Sequence, residues 1–150
     1  GEQEKGARAG TENTHSILGM QKAMEIACEN LNEESAYIQE LKSYFIDQLK
    51  TNFEGIQFNG QSESDKNSSY IMLNVRFPKA YAMLLFNLDL KGISASGGSA
   101  CQSGSNKGSH VLNAILDEKE AAKTSVRFSF SKFNTKQEID VVIEVLKGIV

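Results

Sequence analysis

Apolar residues recur at Ile17, Met20, Met24, Ala27, Leu31, Ile38, Leu41, Phe45 and Leu49, in steps of three, four or seven. That period predicts one long helix, with Asn13 or Thr14 at its start and Gly55 just past its end. The run Asn30–Asn32 predicts a kink or break inside it. Beyond Gly55 the period changes. Ile56–Phe58 is a short strand candidate, and Gly60–Ser69 is a polar loop. Tyr70–Phe77 is a stronger strand, rich in β-branched and aromatic residues and ended by Pro78. Tyr81–Leu90 reads as a helix, and Ile93 opens another short strand. His110–Leu116 is a short helix capped by Ser109. In Ser125–Ser129, Val126 and Phe128 alternate with Ser125, Arg127 and Ser129, the period of a half-buried strand. A last helix opens on Thr135 and Glu138 at capping-box spacing and continues through Ile139, Val142, Ile143 and Leu146. Helices interspersed with three or four short strands predict an α+β fold, with a mainly antiparallel sheet covered by helices.

Composition adds limits. The 150 residues, 40% hydrophobic and 23% charged, suit an ordinary globular domain. The 16 basic and 19 acidic residues are mixed along the chain. No basic stripe forms, so nucleic acid is not an expected partner. No apolar run approaches the roughly 20 residues of a bilayer span, so no membrane is expected either. No secretory signal pattern opens the sequence. With two widely separated cysteines, Cys28 and Cys101, the chain reads as reduced and cytoplasmic. Residues 1–13 carry no apolar pattern and read as an active-site loop cut from a preceding strand, which predicts a fragment of a longer protein.

The stretch Gly92–Ser109 is the most unusual. Eleven of its 18 residues are Gly or Ser, and Cys101 lies in its middle. Such a loop buries little and keeps a thiol accessible, the first requirement of a reactive cysteine. The bland alternative, a small filler in a turn, stands level with it. Cys28, in helical sequence beside Ala27, reads as a buried small hydrophobe. Thr11, ahead of the long helix, suits either a cap or an anion site at a helix start. Arg127 has a fork suited to a carboxylate. On alternation alone, the solvent face of a strand explains it better. Two histidines, His15 and His110, are too few and too separated to form a metal site with two cysteines.

Taken in order, these pieces resemble one family. GEQEKGARAGTEN at 1–13 is similar to the GGGQExGxRxGTxN segment of cysteine desulfurases. Ile93–Cys101 resembles their (I/V)xxSxGSAC motif, and Ser125–Ser129 their (S/L)(I/V/L)RFS strand. Asn134, Thr135 and Glu138–Asp140 match their NTxEEID helix start. Four motifs in family order cover essentially the whole chain, and the NifS/IscS-type branch fits best. The resemblance implies the small C-terminal domain of a fold-type I, pyridoxal-phosphate-dependent, class V aminotransferase. Residues 14–150 would form that domain with its long connecting helix, and 1–13 would be a loop of the absent large domain. It further implies that Cys101 takes sulfur from L-cysteine as a persulfide, leaving L-alanine. Arg127 would hold the substrate carboxylate, and Thr11 the cofactor phosphate in the partner subunit of a homodimer. The sulfur would pass to an iron–sulfur scaffold or tRNA-thiolation protein. No resident metal is implied, with Cys101 at most a transient iron–sulfur ligand. A selenocysteine lyase, another class V aminotransferase, and a stand-alone sulfur-carrier or dimerisation domain remain alternatives. Three departures stand out: Gly97 where many members carry Ser or Thr, Gln102 where Ser or Thr is usual, and Asn106-Lys107-Gly108 in place of an acidic-Pro pair. No lysine lies in the family's cofactor-attaching motif, so the chain alone is expected to be inactive.

Overall fold

The computed structural model describes residues 1–64, 66–97 and 109–150. The chain divides into two compact units, Gly1–Glu34 and Ser35–Val150.

The first unit opens with a 3-10 turn at Glu4–Gly6 and continues into helix α1, Thr14–Glu29. The Asn13 side chain accepts from the Ser16 N–H at 3.2 Å, which caps the helix. Helical geometry is interrupted at Asn30, at φ −121°, and α2 (Leu31–Asn52) begins at the next residue. The break expected at Asn30–Asn32 is thus present, where side chains that bond locally to the backbone compete with the helix. No residue of α1 is buried. Cys28 is therefore exposed, not the buried filler its sequence setting suggests. An apolar position becomes interior only when another element covers it, which helical period alone does not guarantee.

Within the second unit, α2 buries Ile38, Leu41, Phe45, Ile46 and Leu49. The sheet consists of β1 (Gln57–Phe58), β2 (Met72–Arg76) and β3 (Ser125–Ser129), in the order β1-β2-β3. Both pairings are antiparallel, with Leu73 opposite Phe128 and Asn74 opposite Arg127. Alternation then separates two faces. Leu73, Val75 and Val126 are wholly buried, Phe128 nearly so, and they join α2 and the last helix, α6 (Lys136–Lys147), in one core. Phe45 of α2 meets Phe128 edge to face, ring centroids 5.0 Å apart. Helix α6 contributes Ile139, Ile143 and Leu146, a single stripe at steps of four and three. Its capping box between Thr135 and Glu138 is formed as the sequence predicts. Polar ties also run between α2 and the start of α6. Tyr37 donates to the Asn134 carbonyl, Lys136 pairs with Glu40, and Tyr44 donates to Asp140.

Three elements differ from expectation. Helix α3 spans only Leu84–Leu90. Met83 before it is left-handed, at φ 60°, and the Tyr81 N–H donates to the Thr124 hydroxyl at 2.8 Å. The Tyr81–Met83 backbone is thus committed outside the helix. No strand starts at Ile93; a lone bridge at Ser96 takes its place. After α4 (His110–Ile115), a one-turn helix α5 (Glu118–Ala121) appears, capped by Asp117. One turn is too short to leave a period in the sequence.

Candidate active site

The second face of the sheet is polar. It carries Asn74 and Arg76 from β2, and Ser125, Arg127 and Ser129 from β3, by the same alternation that buries their neighbours. The Arg127 side chain is exposed. It has no hydrogen-bond or ion-pair partner among the described residues, so its fork is free for an anion. Its backbone is held on both sides. On one side, β3 pairs with β2 and Arg127 lies opposite Asn74. On the other, Arg127 N–H donates to the Ser96 carbonyl at 2.6 Å, and Ser96 N–H returns a bond at 3.1 Å. This pair of hydrogen bonds fixes the start of the Gly/Ser stretch against the residue whose guanidinium has no partner among the described residues.

Cys101 lies outside the described residues. The residues flanking that gap, Gly97 and Ser109, line one groove of about 420 Å³ together with Leu84, Leu85, Leu112 and Ser125. Ser109 caps α4, accepting from the Leu112 N–H at 3.4 Å. Gly97 has a packing reason to be glycine. A Cβ built there lies 2.4 Å from Leu85 Cδ1, far inside contact distance. The departure from Ser or Thr at this position is matched by the leucine that fills the space.

Next to Arg127 stands a network that the sequence alone does not reveal. Asn59 is buried, and its amide NH2 donates to Asn74 Oδ1 at 2.9 Å and to Ser125 Oγ at 3.0 Å. Its carbonyl accepts from Arg76 Nη1 at 2.8 Å. Arg76, itself buried, also donates to Gln57 and meets Glu120 of α5 as an ion pair at 3.1 Å. That last contact lies off the hydrogen-bond direction. Thus of two arginines on one face, Arg76 is neutralised by Glu120 and hydrogen-bonded to Asn59 and Gln57, while the Arg127 side chain has no partner among the described residues. The polar alternation Asn74, Arg76 within Leu73, Val75 and Phe77 is the signal in the sequence for the β2 part of this face.

Thr11 belongs to the first unit. It is exposed and lines a shallow recess with Arg8, Asn13 and Ser16 at the start of α1. Arg8 is occupied by Glu12 and by the Gly10 carbonyl. A hydroxyl at the N-terminus of a 16-residue helix is a donor set that fits a phosphate group. Among the described residues no cluster of His, Cys, Asp and Glu could hold a metal ion, and no helix is long and apolar enough to cross a membrane.

Residues 1–142 match the family model described as aminotransferase class-V, and the chain belongs to that family. Relatives similar to it include cysteine desulfurases. The chain is 37% identical over 153 residues to cysteine desulfurase IscS of Dictyoglomus turgidum, covering 100% of this chain and 38% of that protein. It is equally 37% identical, over 154 residues, to cysteine desulfurase IscS of Clostridium botulinum, with the same coverage. Among solved structures, a NifS-like protein from Rickettsia africae matches with a TM-score of 0.76 and 30% identity, over 99% of this chain and 38% of that one. The fold is thus the small α+β domain of a fold-type I enzyme, and the chain spans under two fifths of the length of these relatives.

Proposed function

We propose that this chain supplies the C-terminal part of a cysteine desulfurase, with Arg127 as the substrate-carboxylate residue and Cys101 as the sulfur acceptor. The observation that carries the reading is the free guanidinium of Arg127, bridged through its own backbone to Ser96. Cys101 follows Ser96 by five positions, a tether of at most about 18 Å when fully extended. The nucleophile is therefore tethered by a short covalent span to the residue that is hydrogen-bonded to the carboxylate holder's backbone. Thr11 would hold the phosphate of pyridoxal phosphate, through its hydroxyl and the field of α1. Pyridoxal phosphate, when bound, supplies an electron sink for the substrate carbons.

The chain's own residues divide the remaining work. Arg127 pairs its fork with the cysteine carboxylate and orients the thiol-bearing carbon. The Cys101 thiolate attacks the substrate sulfur. A sulfur–sulfur bond forms as the carbon–sulfur bond breaks, and the departing carbon keeps the electron pair and takes up a proton, leaving alanine. The persulfide on Cys101 is then open to attack by an acceptor thiolate. A homodimer, in which Thr11 serves the partner's site, a cytoplasmic setting, and delivery to an iron–sulfur scaffold or tRNA-thiolation protein complete the reading. The uncovered apolar side chains of α1, among them Ile17, Met20 and Met24, support a chain that works inside a larger assembly.

The test uses the complete enzyme. Cys101→Ser keeps size and loses the soft nucleophile, so alanine formation from cysteine should stop while cofactor content is unchanged. Wild-type sulfide release by that variant would remove Cys101 from the reaction. Arg127→Ala should lower kcat/KM by ~30- to 1,000-fold, the worth of roughly 2–4 kcal/mol in a charge-assisted fork contact. Arg127→Lys should restore part of it.

A further inference from the structure

We propose that Asn59 is a positioning residue for Arg127, and that Arg76 acts through it; this rests on Arg127 binding the substrate carboxylate. Asn59 lies on neither of the strands it joins. One amide group donates to β2 at Asn74, directly opposite Arg127, and to β3 at Ser125, two residues before it on the same face. The two bonds clamp the strands on the side from which the guanidinium projects. On the far edge both backbone hydrogen bonds of Arg127 go to Ser96, which leaves it in the non-hydrogen-bonded position opposite Asn74, so on the β2 side the Asn59 clamp supplies the tie beside it.

An asparagine amide can present either end, and Arg76 selects which. Its Nη1 donates to Asn59 Oδ1 at 2.8 Å, which turns the NH2 toward Asn74 and Ser125. All three hydrogen-bonding positions engaged on Asn59 are then used, in a site where the residue is 4% exposed. A buried amide with both N–H groups and its carbonyl engaged holds a single geometry. The Glu120 ion pair completes the arrangement by neutralising Arg76. A second unpaired cation diagonal to Arg127 would compete for the carboxylate and repel its neighbour. Sheet, clamp and counter-ion together leave one aimed, available positive charge on the face.

A double-mutant cycle in the complete enzyme tests this. Asn59→Ala, Arg127→Ala and the double variant are compared in KM and kcat for cysteine. The Kd of 3-mercaptopropionate, which carries the carboxylate and thiol without the amine, is measured in parallel by calorimetry. Asn59→Ala should raise KM and Kd roughly 2- to 10-fold, the scale of one lost hydrogen bond, with kcat retained. In the Arg127→Ala background it should change neither. Additive effects, or a fall in kcat with KM unchanged, overturn the positioning role while leaving the Arg127 reading intact. An Arg127→Ala enzyme with wild-type KM and Kd overturns that reading, and the present one with it. Should Asn59→Ala not fold, Ser125→Ala removes one acceptor of the same clamp and enters the cycle in its place, with the same outcomes.

Discussion

Gly97 and Leu85 illustrate how a single position departs from a family pattern without loss of packing. The contact of 2.4 Å that a Cβ at 97 would make is with the end of a leucine side chain, not with backbone, so the obstacle can be removed. Gly97→Ser should destabilise the chain by about 1–3 kcal/mol, the usual size of overpacking. Combined with Leu85→Ala, the serine should cost less than the sum of the two single changes, because the space it needs has been vacated. Urea denaturation of the three variants checks this, and strict additivity would show that Leu85 is not the obstacle. Arg127 makes a complementary point. Its residue type and strand position were legible from the sequence, but alternation by itself left it on an ordinary solvent face. What changes its standing is that its fork has no partner among the described residues, beside an arginine held by Gln57, Asn59 and Glu120, and such a contrast exists only in three dimensions.

At the scale of elements, helix α6 is anchored at its start. The Thr135–Glu138 box satisfies backbone donors at the N-terminus of a helix that buries Ile139, Ile143 and Leu146. Thr135→Ala should lower stability by about 1 kcal/mol, read as a shift in denaturation midpoint. The tie between α2 and α6 is sensitive to alkali. Tyr44 donates to Asp140 at 2.7 Å, and that bond, with a smaller desolvation effect and the carboxylate charge, raises its pKa above the ordinary tyrosine value of 10.0. A raised pKa means that the folded state holds the proton more tightly. The stabilisation is therefore fully present below the unfolded value and is lost as pH climbs through the folded one. The advantage of wild type over Tyr44→Phe should be constant near neutrality and shrink above about pH 10. An advantage unchanged at high pH would mean that the phenol proton is not shared with Asp140. Helices α1, α2, α4 and α6 and strands β2 and β3 were readable because each carries its own period or cap. Helix α3 is shorter than its apolar pattern predicts, since the bond from the Tyr81 N–H to Thr124 joins residues 43 positions apart, and no local pattern records it.

For the whole molecule, the decisive facts are coverage and division. The chain matches its relatives from end to end while spanning 38% of their length. The isolated chain, supplied with pyridoxal phosphate and cysteine, should form no alanine above the cofactor-only rate. Catalytic turnover by the chain alone would contradict the assignment of roles to Cys101, Arg127 and Thr11 as parts of a larger site. Its second unit should nevertheless fold. Leu41, Leu49, Leu73, Val75, Phe77, Leu88, Val126 and Leu146 are completely buried, each worth roughly 1.5–3 kcal/mol as removed apolar surface.

The sequence by itself determined the α+β class, the break at Asn30, the capped start of α6, the alternation of β3 and the order of motifs that marks the family. These properties repeat every two to four residues or lie in short contiguous runs, so backbone geometry writes them directly into the chain. Tertiary structure alone decided that Cys28 is exposed, that Ile93 starts no strand, and that Leu85 fills the space at Gly97. It also decided that Asn59 bridges two strands, and that Arg76 is consumed by Gln57, Asn59 and Glu120 while Arg127 is not. Each of these depends on residues brought together from distant parts of the chain. Their partners are selected by packing and by the need to satisfy buried polar groups, and neither leaves a period to read.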